Sequence, residues 1–187
     1  MQTSSQPARA HPFVDGIVPR RLIRYHEASA SYLRWALPTF SSAFLPALNS
    51  QAPRAHWPWA GPLLEVAAGL AASAASDPRA HRVEQIGLRI EARLAAGERP
   101  EMELRELAGF LLSEADPALA REYEVHLAAL DNGARLHLRI DPLDPRDAFA
   151  FRQATYALSL AFEHGNGALA RSAMGQLCSF IVEGEAP

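Results

Sequence analysis

The chain contains no lysine, and all 18 of its basic residues are arginine. This absence excludes the chemistries that depend on lysine: Schiff-base formation, the phosphate-loop lysine of nucleotide-binding proteins and the strand lysine of protein kinases. The sequence also holds 36 alanines, and the two biases together are typical of a GC-rich coding sequence. Abundant alanine favours helices, because its side chain loses no conformational entropy on folding.

Cysteine is nearly absent as well, since Cys178 is the only one and no intramolecular disulfide can form. A lone thiol is typical of a reducing, intracellular setting. Residues 1–12 lack the apolar core of a signal peptide. The longest apolar stretch, residues 63–75, contains Glu65 and is too short to span a bilayer. The sequence therefore predicts a soluble, cytoplasmic protein that does not use the membrane as a partner.

A strong positive charge is missing too, because the net charge is −3. No global field then favours nucleic acid or an anionic surface. Arg20, Arg21 and Arg24 form one local basic cluster that reaches a phosphate backbone if the segment is helical. A solvated helix start, or salt bridges to other proteins, is favoured for this cluster over nucleic-acid binding.

The chain has enough apolar residues for a substantial core, with 49% hydrophobic and 21% charged residues. Residues 1–18 show little periodicity and are interpreted as a flexible N-terminal arm. Residues 19–187 carry apolar side chains mainly at helical spacing and are interpreted as a single domain. The fold class predicted is mainly α: a single-domain bundle of about six to eight helices with one small β-hairpin.

Proline and aspartate mark several of the helix boundaries. Asp77-Pro78, Asp116-Pro117 and Asp144-Pro145 each place a side-chain acceptor at the N-cap and proline at the first helical position. Helices are therefore expected to begin at Pro78, Pro117 and Pro145. The full set of predicted helices is 19–37, 39–49, 63–76, 78–96, 101–113, 145–164 and 168–182, with residues 118–130 left between helix and strand.

The best predicted strand is Ala134 to Ile140, where apolar and polar residues alternate. A strand needs a partner for its backbone groups. The first alternative is the segment 122–130, joined by a turn at Asn132-Gly133. The second alternative is a second copy of the chain. The hairpin is slightly favoured.

No group of residues in the sequence predicts a catalytic or metal site. Cys178 lies among apolar residues and is interpreted as a buried structural thiol. Glu122 and His126 share a helix face, but a metal needs a further ligand such as His137, and a surface pair is favoured. Asp141, Asp144 and Asp147 are interpreted as capping residues, and the Gly165–Gly167 segment as a helix–helix turn rather than a phosphate site. No cofactor is assigned.

The aromatic segment His56-Trp57-Pro58-Trp59 is the strongest candidate for a binding role. Two tryptophans in a proline-rich loop either fill the core or anchor a partner. Tryptophan and arginine are enriched among the residues that dominate protein interfaces. Filling the core is favoured, but His56, Trp57 and Trp59, together with Arg20, Arg21 and Arg24, are the candidate partner-binding residues.

The leading functional hypothesis is a non-enzymatic, cytoplasmic protein-interaction module with an accessory, chaperone-like or immunity-type role. Its partner is another protein, and a homo-oligomer is compatible with an unpaired strand edge. One alternative is an enzyme or small-ligand binder with a pocket between helices, for which the candidates are His26, Glu27, Glu122, His126 and Arg171. Another is a weak nucleic-acid binder that uses Arg20, Arg21 and Arg24.

Overall fold

The structure, a computed structural model, describes residues 57–73, 78–130 and 136–184. The predicted arm at 1–18, the first two predicted helices and the Asn132-Gly133 turn lie outside the described residues. So do four of the candidate partner-binding residues, Arg20, Arg21, Arg24 and His56, and two of the candidate pocket residues, His26 and Glu27.

The described part of the chain is mostly helical, and its small β element is a two-stranded antiparallel sheet. This confirms the predicted fold class. The helices are α1 (Ala60–Ser73), α2 (Pro78–Ala95), α3 (Glu101–Ala115), α4 (Pro117–Ala129), α5 (Pro145–Glu163) and α6 (Gly167–Ser179), and the strands are β1 (Leu136–Leu138) and β2 (Ile181–Glu183).

Two of the three predicted Asp-Pro caps have the expected geometry. Asp116 accepts a hydrogen bond from the amide of Ala118 at 2.8 Å, and Asp144 accepts one from Arg146 at 2.8 Å. Each bond satisfies one of the amides that a helix start leaves without an intrahelical acceptor. The third helix, α2, begins at Pro78 as predicted, although Asp77 itself lies outside the described range.

The segment that the sequence left between helix and strand is the helix α4. In a strand, residues two apart share a face, whereas Tyr123 is 1% exposed and Val125 is 69% exposed. The cap at Asp116 starts the helix, and the burial of Tyr123 holds it against its neighbours. The favoured hairpin partner for β1 was therefore wrong.

The partner of β1 is β2, at the far end of the chain. Leu136 pairs with Glu183, His137 with Val182 and Leu138 with Ile181. The last predicted helix was expected to run to Val182, but α6 ends at Ser179 because the Phe180 amide bonds back to Leu177. The β-branched residues that follow suit an extended conformation.

Helix α6 lies at the centre of the packing, between α1 and α5. Two alanines of α1 lie in this core, because Ala67 and Ala71 are fully buried. A Cβ atom on Gly167 would lie only 2.6 Å from the backbone oxygen of Ala68. Glycine at this position therefore lets α6 begin directly against the backbone of α1. Within the described ranges, no helix has both the length and the apolar character needed to cross a bilayer.

Replacing Gly167 by alanine should destabilise the fold, because its methyl group would collide with backbone that cannot rotate away. We expect a loss of about 1–3 kcal/mol in the free energy of unfolding, measured by urea denaturation. The matched control is Gly69→Ala on α1, where a Cβ meets nothing within 4 Å among the described residues. The control should gain stability, since alanine favours helix; equal effects of the two changes would contradict the close approach.

Candidate functional site

A cleft of about 470 Å³ lies beside β1 and the segment that follows it. We call it the β1 cleft. Most of its lining residues come from β1 and the segment directly after it, with one residue each from the start of α5, from β2 and from the turn between α2 and α3. The polar lining residues are Arg99, His137, Arg139, Asp141 and Asp147, and the apolar ones are Leu138, Ile140 and Val182.

A glycine turn brings Arg99 to this cleft. Gly97 has a φ of 73°, in the left-handed region that favours glycine, and it follows the last turn of α2. The amide of Glu98 bonds back to the Arg93 carbonyl at 2.9 Å, which closes the helix end. Leu143 packs on the turn, with its Cδ2 atom 3.1 Å from where a Cβ of Gly97 would lie. The turn and the 139–147 segment are therefore in direct contact.

The two aspartates of the cleft hold its backbone in place. Asp147 accepts a hydrogen bond from the amide of Asp141 at 2.9 Å, and Asp141 accepts one from the amide of Leu143 at 2.9 Å. The interpretation of the three aspartates as capping residues therefore holds for Asp144, which caps α5, whereas Asp141 and Asp147 accept amides of the loop that precedes the helix. Among the described residues, no cluster of histidine, cysteine and acidic side chains is arranged to hold a metal ion.

The two arginines of the cleft lack the ion pairs that several other arginines form within the described residues. Both are exposed, and neither Arg99 nor Arg139 forms an ion pair within the described part of the chain. By contrast, the described ion pairs join Arg82 and Arg89 to Glu106, Arg93 to Glu98 and Glu103, and Arg171 to Glu65. The β1 cleft thus presents two guanidinium groups whose donors are free for a ligand.

The third basic side chain of the cleft is fixed by the end of β2. His137 Nε2 lies 2.7 Å from the carbonyl oxygen of Gly184. A carbonyl oxygen can only accept, so Nε2 carries the proton and donates. The free edge of β1 is also partly covered, because the Leu138 amide donates to a Glu101 carboxylate oxygen at 3.1 Å. A strand edge blocked in this way gives less support to pairing with a second copy of the chain.

The predicted aromatic residues lie in a different place. Trp57 and Trp59 pack against α4, edge to face with Tyr123 at centroid distances of 6.0 and 5.2 Å, and Trp59 also meets His126 at 5.8 Å. We call Trp57, Trp59, Tyr123, His126 and Glu183 the aromatic cluster. Trp57 is 4% exposed and Trp59 is half-buried. The Trp57 side chain therefore belongs to the core, whereas Trp59 retains some accessible surface.

A single carboxylate oxygen joins this cluster together. Glu183 Oε1 accepts a hydrogen bond from Trp57 Nε1 at 2.6 Å and lies 2.7 Å from His126 Nε2. A buried tryptophan N–H requires an acceptor, and β2 supplies it. Sequence reasoning missed Glu183, because only the pairing of β2 with β1 brings the end of the chain to Trp57. The need of Trp57 for an acceptor was the only available signal.

The three candidate pocket residues within the described ranges do not gather at one site. His126 bonds to Glu183, Arg171 pairs with Glu65 on α1 at 2.6 Å, and Glu122 is exposed. None of these three residues lines the β1 cleft. His126 thus lies beside a carboxylate, but neither it nor Glu183 lines the β1 cleft.

The one cysteine is buried, as predicted. Cys178 has no exposed surface, and burial raises the pKa of its thiol to about 12. A thiolate is the reactive form of cysteine, so the folded protein offers no nucleophile at this position. Burial also raises the pKa of the Tyr123 hydroxyl.

Replacing Glu183 by alanine should destabilise the fold by about 1–3 kcal/mol, because the buried Trp57 N–H would lose its acceptor. The measurement is urea denaturation followed by tryptophan fluorescence. Glu183→Gln is the control, since its amide oxygen can still accept from Trp57. If both variants were as stable as the unchanged protein, the carboxylate would not hold the cluster.

The buried thiol should make the fold less stable in alkali. The unfolded Cys178 thiol loses its proton near its ordinary pKa of 9.0, whereas the folded one keeps it until about 12. The free energy of unfolding should therefore fall as the pH rises through this window. Cys178→Ala should have a shallower decline in denaturation experiments between about pH 9 and pH 12. An unchanged slope in this variant would assign the effect to other groups, such as Tyr123.

Comparison of the chain with protein-family models, with curated proteins and with solved structures finds no match in any of the three. The β1 cleft and the aromatic cluster are therefore interpreted from their own residues.

Proposed function

We propose that the chain is a non-enzymatic protein-interaction module of the cytoplasm, and that it binds its partner at the β1 cleft and at two exposed apolar side chains that lie near the cleft residues in sequence. These side chains are Met102 and Leu143, three and two residues after the lining residues Arg99 and Asp141, and we call them the cleft rim. An accessory, chaperone-like or immunity-type role would use such a surface.

The exposure of Leu143 is the observation that carries this proposal. Its side chain is 78% exposed, and it lies two residues from Asp141 in the cleft wall. Met102 is 65% exposed and follows Arg99 by three residues. Large apolar side chains beside a polar rim are typical of interaction sites, and methionine and arginine are enriched in protein interfaces. The cleft rim combines both features.

The proposal moves the binding surface away from the two tryptophans. Trp57 is buried and its N–H is bonded to Glu183, so this side chain has little left to offer a partner. Trp59 is half-buried and contacts Tyr123 and His126, which leaves it a smaller accessible area than Leu143. Contacts with the partner stay predictions for five candidate residues: Trp59, His56, Arg20, Arg21 and Arg24.

Removing the apolar side chains of the cleft rim should abolish partner capture. We would replace Met102 and Leu143 by serine in the full chain, and use the tagged protein as bait in extracts of the cells that produce it. Because both side chains are exposed, the fold should be retained, as checked by thermal unfolding. A protein recovered with the unchanged chain should be lost or reduced by about tenfold with the variant, measured by quantitative mass spectrometry.

The matched control is Val125→Ser, which removes another large exposed apolar side chain, on α4 and not at the cleft rim. It should capture the same protein as the unchanged chain. Recovery of the same proteins in equal amounts by all three baits would overturn the cleft rim as the binding surface. Recovery of the chain alone would reduce the proposed function to self-association.

A further inference from the structure

We infer that the β1 cleft recognises a peptide segment that carries aspartate or glutamate carboxylates beside an apolar residue. This inference rests on the proposed function, because it names the chemistry of the partner at the same surface. It depends on three observations: two arginines without ion pairs among the described residues, two aspartates in the same lining, and the accessible apolar surface.

The arginines supply the attraction. Arg99 and Arg139 both line the cleft, and neither is neutralised by an ion pair in the described part of the chain. A guanidinium group presents a planar fork of donors that matches a carboxylate, often through two parallel hydrogen bonds. Two such forks at one cleft favour a ligand with more than one anionic group.

The aspartates decide between a peptide and other anions. Asp141 and Asp147 each use one carboxylate oxygen to accept a backbone amide, and the second oxygen of each makes no hydrogen bond to the described residues. A peptide can satisfy both kinds of group, because its carboxylates suit the arginines and its backbone N–H donors can bond to these aspartate oxygens. A phosphodiester backbone has closely spaced charges and no N–H donors, so nothing would offset its repulsion by the two carboxylates.

The size and the walls of the cleft suit a short peptide. Its volume of about 470 Å³ falls within the usual range of roughly 300–1,000 Å³ for ligand pockets. Of the apolar lining residues, Leu138 and Ile140 are buried, whereas Val182 is half-buried. Leu143, two residues beyond Asp141, is exposed. The accessible apolar surface for a peptide residue therefore comes from Val182 and Leu143, while its neighbouring carboxylates approach the arginines.

The test uses a short end-capped peptide in which glutamates flank a central leucine. It is titrated into the isotope-labelled full chain, and backbone amide shifts are followed by NMR. We expect shifts at the cleft residues, and a loss of affinity of about tenfold or more in the double variant Arg99→Gln, Arg139→Gln. Arg121→Gln, which changes an exposed arginine of α4 with no ion pair in the described residues, should bind as the unchanged chain does.

Three comparisons complete the experiment. The same peptide with glutamine in place of glutamate should bind more weakly, and equal binding would overturn the role of the carboxylates. A short DNA duplex or inorganic phosphate that shifted the same amides at lower concentration than the peptide would overturn the peptide assignment. No peptide binding, with cleft-rim-dependent partner capture intact, would refute this inference and leave the proposed function standing.

Discussion

The antiparallel pairing of β1 with β2 is the contact on which both candidate sites depend. It places the end of the chain beside His137 and Leu138, after two intervening helices. Successive side chains of a strand point to opposite faces. Val182 therefore contributes to the β1 cleft, while Glu183, the next residue, reaches Trp57 and His126. Without this pairing, the cleft would lose part of its wall and the aromatic cluster its acceptor.

Such a short sheet is not stable alone, since an isolated pair of strands is marginal in water. Contacts at its margins hold it in place. Glu101 accepts from the outer edge of β1, Arg139 donates its amide to Phe180 at 2.7 Å, and Glu183 accepts from Trp57. The bonds from Leu138 to Glu101 and from Trp57 to Glu183 join the sheet to segments distant in sequence, and the Arg139 bond extends the pairing of the two strands. The aromatic cluster and the wall of the β1 cleft therefore share one strand, β2.

The sequence predicts the local features of this fold well. The caps at Asp116 and Asp144 are decided by neighbouring residues, and so are the helices that begin there. The partner of β1 is not decided locally. Ile181 and Val182 continue the apolar spacing of α6, so periodicity alone extends the helix through them. The sequence does not predict the β1 cleft for the same reason. Arg99 and Arg139 come from separate segments, and the glycine turn at Gly97 brings Arg99 to the cleft.

Because the chain has no lysine, the two long basic side chains that line this cleft are both arginines. A net charge of −3 does not prevent an acidic segment from approaching, because salt screens charges beyond roughly 8–10 Å at physiological ionic strength. What a ligand experiences is the local arrangement of two guanidinium groups and two aspartates. Arginine stays charged at every relevant pH and has a fixed planar geometry, whereas lysine would present a mobile point charge. In the proposed peptide complex, the cleft would therefore select by geometry as well as by charge, and the aspartates would disfavour a uniform polyanion that the arginines alone would attract.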